Sequence, residues 1–104
     1  MNDKIKLWAN SDRKATCRSC GYTFSSCECD FEGDDKAAIT LMPILVERGY
    51  GCHLNGSLAG DFVTFDFFIR YAPKKQIESV CKVSISKAIY DAMAELLDTI
   101  AWTD

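Results

Sequence analysis

Four of the chain's six cysteines fall within thirteen positions, in the stretch CRSCGYTFSSCEC running from residue 17 to residue 29. The spacing is Cys17-x2-Cys20, six residues, then Cys27-x-Cys29. A thiolate pair two residues apart and followed by Gly21 suits the grip of one ion, because the glycine lets backbone amides turn toward the sulfurs. A second pair close behind would complete a tetrahedral four-thiolate site, although C-x-C is a tighter bite than the commoner C-x2-C. The stretch is otherwise rich in serine and glycine. A structural Zn2+ held by Cys17, Cys20, Cys27 and Cys29 would supply the free energy that orders it. Disulfide or redox pairing and idle thiols are the competing readings. CRSC precedes any convincing strand-helix unit of thioredoxin type, which argues against redox catalysis. Cys52 and Cys81 read as small buried apolar residues in strands. His53, the only histidine, is the substitute ligand if Cys27 or Cys29 does not bind.

Directly after the cysteines, ECDFEGDD (residues 28–35) holds five acids and no base. Glu28, Asp30, Glu32, Asp34 and Asp35 form a candidate docking surface for a basic partner, with Phe31 as its aromatic anchor. Four more acids lie in DAMAELLDTIAWTD at the other end. The cations gather early, at Lys4, Lys6, Arg13, Lys14 and Arg18. With a net charge of −3 and an isoelectric point near 5.1, the whole chain is not a phosphate-seeking surface.

The elements that must position these groups follow from periodicity. KIKLW (4–8) alternates cation and apolar residue and reads as a short strand or an arm along the core. DDKAAITLMPILVERGYG reads as a first helix, capped by Asp34 or Asp35 and ended by Gly49 or Gly51. Pro43 either kinks that helix, the favoured reading, or sits in the first turn of a shorter one capped by Thr40. GCHLNGS is a strand, NGSLAG a turn region, and DFVTFDFFIRY the strongest strand. Its core face is Val63, Phe65, Phe67, Ile69 and Tyr71, with Phe62 and Phe68 on a half-covered opposite face. APKKQ breaks that strand and ESVCKVS supplies a third. Ser84 caps a final helix whose stripe is Ile85, Ala88, Ile89, Ala92, Met93, Leu96 and Ile100.

The order helix, three strands, helix implies an α+β fold with two helices on a small antiparallel sheet, preceded by a four-cysteine knuckle-like extension. Residues 1–33 would form the arm and cysteine segment and residues 34–104 the core, in one compact domain of 104 residues. No run is long and apolar enough for a membrane span, and MNDKIKLWAN lacks the apolar stretch of an export signal. A reducing cytoplasm is therefore the expected compartment.

Residues 34–101 resemble the small phage α-β-sandwich proteins known as phage ABA sandwich proteins. The resemblance rests on Asp34 and Asp35 before a helix, Gly49-Tyr50, Ser84 to Ser86, and the Ala88-Ile89 step. It implies a phage or prophage origin and brings no catalytic residues with it. Pro43 and the cysteine segment depart from its pattern.

Catalysis has few candidates: one histidine, a closed thiolate site and no glycine-rich phosphate loop. A stoichiometric protein-binding module is the first expectation, acting on a host protein with a basic surface, with inhibition of a defence system as its sharpest form. A nucleic-acid module is the second, with Trp8, Tyr22 and Phe24 stacking on a strand beside the early cations and Lys74 and Lys75.

Overall fold

Ser84 has an extended backbone (φ −140°, ψ 130°), and its hydroxyl accepts from Lys87 N, which starts a fifteen-residue helix as its cap position requires. The computed structural model describes residues 2–10, 16–24, 26–72, 74–81 and 83–100, with the backbone alone at residues 2, 72 and 81. Its elements are α1 (Asn2–Asn10), α2 (Asp35–Ile39), α3 (Leu41–Glu47), β1 (Gly51–Ala59), β2 (Phe62–Ala72), β3 (Lys75–Cys81) and α4 (Ile85–Thr99). The strands form one antiparallel sheet in the order β1-β2-β3. The fold is α+β, as the element order implied. Helix α4 lies against β2 and β3, α3 against β1, and α1 and α2 against α4.

The pleat divides the sheet cleanly. Cys52 and Leu54 pair with Ile69 and Phe67, and these pair in turn with Ile77 and Ser79, so all six point to the helices. Phe67, Ile69, Ile77, Ala88, Ile89, Ala92, Met93 and Leu96 are buried together. Gly51, His53, Asn55, Asp66, Phe68, Arg70, Gln76 and Glu78 belong to the opposite, open face. Ile5, Trp8, Cys17, Phe24 and Phe31 lie in the same buried cluster as Leu41 and Met93, so one core spans the cysteine segment and the body.

Five expectations are corrected. Residues 4–8 are helical, because Ile5, Trp8 and Ala9 recur at three- and four-residue spacing and bury one face of α1. Arg48 donates to the carbonyls of Trp8 (2.6 Å) and Ala9, satisfying acceptors that the end of α1 leaves open. The first predicted helix is two short ones. The break falls at Thr40, three residues before Pro43, which then sits in the first turn of α3 where its missing N–H costs little. Thr40 makes no side-chain cap; its hydroxyl donates instead to the carbonyl of Ala37 at 2.5 Å.

Of the expected turn region NGSLAG only Gly60 belongs to the hairpin turn, with Asp61, while residues 55–59 continue β1. Gly60 has φ +68°, and Phe65 lies 3.4 Å from where a Gly56 side chain would begin, so the aromatic ring covers the glycine and the strand runs on. The third strand starts at Lys75, after a register shift between Arg70 and Ala72, rather than at Glu78. Val63, expected in the core, is 46% exposed, because the hairpin tip extends past the helices. Trp102, Arg13 and Lys14 lie outside the described residues, as does the Cys81 side chain.

Candidate metal centre

The cysteine loop is shaped by its own backbone before any ion is considered. Cys17 N donates to the carbonyl of Tyr22 and Gly21 N to that of Cys17, both at 2.8 Å, folding CRSCGY into a tight knuckle. Gly21 has φ +82°, a conformation that side-chain-bearing residues rarely adopt. Thr16 and Thr23 bridge across the base of the turn. The return segment hooks back through Cys27 N to the carbonyl of Phe24 (3.4 Å) and Cys29 N to the sulfur of Cys27 (3.4 Å). Phe24, between the two cysteine pairs, and Phe31, just after the second, are both buried and anchor the loop in the core.

Cys17, Cys20, Cys27 and Cys29 point inward together, their sulfurs all within 4.8 Å of one another. Cys17 Sγ and Cys29 Sγ are 3.7 Å apart. A disulfide would hold them at about 2.05 Å. Four thiolates about 2.3 Å from a tetrahedral ion would stand about 3.8 Å from each other, so the residues present fit one ion and no pairing. Cys17 and Cys27 are buried, while Cys20 and Cys29 are half-buried and form the outer rim. Glu28, between Cys27 and Cys29, is exposed.

Burial pushes Cys27 up to about 12 and Cys29 upward from an ordinary 9.0, while a backbone hydrogen bond from Tyr22 lowers Cys20. Thiols crowded this closely favour the neutral form unless a positive charge sits among them. His53 is on the open sheet face, bonded to Asn55 Oδ1 at 2.8 Å, and is not one of the clustered groups. Cys52 is half-buried, with its sulfur 3.8 Å from the carbonyl of Met42, and burial raises its pKa.

The acidic stretch serves the fold more than its composition suggested. Asp34 Oδ1 caps α2, accepting from Lys36 N (3.0 Å) and Ala37 N (3.4 Å). Asp35 Oδ1 accepts from Ser86 N at 2.9 Å and from the Ser84 hydroxyl at 3.4 Å, tying α2 to the start of α4. Those bonds, the backbone one foremost, hold its carboxyl below the usual range. Glu32 pairs with Lys87 at 2.7 Å, and Asp30 Oδ1 accepts from Glu32 N at 3.1 Å. Phe31 is fully buried (0% exposed), so it cannot be the partner anchor; an apolar ring between two acids is drawn into the core by burial of its area. All five acids of this stretch are exposed, and Glu28 is the one that lines the rim of the cysteine loop.

The nucleic-acid platform loses most of its aromatics for the same reason. Trp8 and Phe24 are buried, and Arg48 packs over the Trp8 ring at 4.5 Å. Lys4 pairs with Asp98 at 3.2 Å and Arg18 with Glu47. Tyr22, 65% exposed, is the one named stacking residue that faces solvent. Its ring borders a shallow depression of about 280 Å³ lined by Cys20, Tyr22, Ser26, Glu28 and Cys29. Neither the sequence composition nor the spacing singled out this rim, since it forms only when the two cysteine pairs close on each other.

Among the described residues, no helix is long and apolar enough to cross a membrane. Compared with known proteins, the chain matches no family model, no curated protein and no solved structure.

Proposed function

We propose that this protein is a non-enzymatic binding module, stabilised by one structural Zn2+ on Cys17, Cys20, Cys27 and Cys29, that docks on a basic surface of a partner protein. The observation that carries the reading is the convergence of four sulfurs within 4.8 Å. Four protein ligands close a tetrahedral site, and a closed site supports a structural ion better than a catalytic one. An all-thiolate site selects zinc or iron, and zinc is favoured for a site whose task is to hold a loop.

A divalent ion with four thiolates carries a net charge of about −2, which adds to that of Glu28 on the same rim. That concentration of negative charge favours a cationic partner and disfavours phosphate. Exposed Tyr22 is the aromatic available to anchor the contact. The phage-like spacing of residues 34–101 extends the proposal to a small phage-type accessory protein that occludes a functional surface of a host protein.

Affinity capture from bacterial lysate with the metal-loaded protein tests the reading. Wild-type protein retains a specific basic partner, and Tyr22→Ala with Glu28→Lys releases it while circular dichroism stays unchanged. Salt-titrated binding to single- and double-stranded DNA and RNA is the counter-test. Micromolar, steeply salt-dependent binding there overturns the protein-docking reading.

A further inference from the structure

Strand β1 is an edge of the sheet, with β2 on one side and no strand on the other among the described residues. Proteins commonly protect such an edge with charge, proline, a bulge or brevity, because its unpaired backbone groups are a template for another strand. β1 has none of these. Its nine residues, GCHLNGSLA, include no charged side chain and no proline, and its pairing with β2 runs without a shift from Gly51 to Ala59. The other edge, β3, carries Lys75 and Glu78 and borders a register shift. Apolar side chains also gather around the bare edge. Leu58 is 77% exposed at the hairpin tip, and Val46 is 59% exposed on α3, the helix that packs against β1.

We infer that β1 pairs with β1 of a second copy of this chain, joining two sheets into one of six strands. Charge selects this occupant. Two copies of a chain with net charge −3 repel each other over most of their surfaces, whereas β1 meets its own copy without a single charge on either side. The side-chain pattern is self-complementary about Asn55. An antiparallel pairing centred there sets Leu58 opposite Cys52 and Leu54 opposite Gly56 on the helix side, and His53 opposite Ser57 on the open side. A shift by one residue would put apolar residues against polar ones on both faces, so the register is specified. The two-fold axis stands perpendicular to the sheet, which places both helix layers on one face and brings each Leu58 toward its partner's α3. The interface is isologous and closes at two copies. It is independent of the metal and of the acidic rim.

Sedimentation equilibrium and light scattering on the metal-loaded full chain, from low micromolar to millimolar, test this. The expected result is a reversible species of twice 11.6 kDa. Asn55→Lys with Ser57→Lys opposes like charges at the axis and raises the apparent Kd roughly tenfold or more. Gln76→Lys, the same charge on the far edge, leaves Kd unchanged. Thermal melts identify any variant that fails to fold, and Leu58→Glu then provides a second disruption outside the open face. A monomer at every concentration overturns the inference, as does a dimer indifferent to Asn55→Lys/Ser57→Lys and Leu58→Glu, or an open-ended assembly in place of a dimer.

Discussion

The cysteine loop and the helix-sheet body share one core but are held by different physics. Among the described residues of 16–30 there is no helix and a single isolated bridge, and their order rests on local turns, the buried rings of Phe24 and of Phe31 just beyond, and four converging sulfurs. The body has two layers, a three-stranded antiparallel ladder and a helix with a buried stripe from Ala88 to Leu97. The loop has little regular structure of its own, so under the proposed reading an ion on the four sulfurs supplies much of its order, whereas the body rests on its sheet and buried helix stripe. The two regions meet at Phe24 and Phe31, which lie in the common core.

The widest separation of the two regions is expected from the metal itself. Chelation, or Cys17→Ser, should destabilise the loop by several kcal/mol while far-UV circular dichroism keeps the helical signal of α4. Limited proteolysis would then cut within residues 16–30 first. Simultaneous loss of all structure would show that the body, too, depends on the ion. Phe31→Ala comes next, at about 3–5 kcal/mol, because it leaves a cavity where both regions meet. Its cost should appear in chemical denaturation with and without metal. A change below about 0.5 kcal/mol would place Phe31 on the surface as the sequence first suggested.

Asp35 belongs to the body and should respond to pH rather than to metal. Its carboxyl is held below 3.8 in the folded state, so its contribution is complete above that value and is lost as pH falls through the depressed one. Asp35→Ala should cost about 1 kcal/mol at neutral pH through the lost bond to Ser86 N, and the acid limb of the stability curve should flatten. An unchanged acid limb would remove Asp35 as the tie between α2 and α4. The smallest effects are expected at Ser79 and Lys4. Ser79 Oγ is buried without a hydrogen-bond partner among the described residues, so Ser79→Ala should be neutral or stabilising by up to about 1 kcal/mol. Lys4→Ala breaks an exposed ion pair with Asp98 and should cost no more than about 0.5 kcal/mol in a thermal melt.

How much of this was legible in the sequence depended on whether the deciding contact was local. Ser84 and the stripe behind it announce α4, because cap and periodicity lie within one turn of each other. Cys17-x2-Cys20-Gly21 likewise announces the knuckle, since the turn that aims the sulfurs is made by those residues themselves. α1 was hidden: Lys4-Ile5-Lys6-Leu7 alternates like a strand, and the helical spacing of Ile5, Trp8 and Ala9 matters only once α4 and Arg48 are beside it. Asn55-Gly56 looks like a turn until Phe65 covers the glycine from the neighbouring strand. Phe31 looks exposed among acids because nothing nearby in sequence shows that Asp34 and Asp35 are aimed at helix starts, one of them 51 residues away.

The metal content of the reduced, purified protein tests the central claim most directly. One zinc ion per chain is predicted, replaceable by cobalt with the sulfur-to-metal absorption of a tetrahedral thiolate site, and lost in Cys17→Ser. Protein free of bound metal, with a melting temperature indifferent to added zinc and to chelator, would contradict the account.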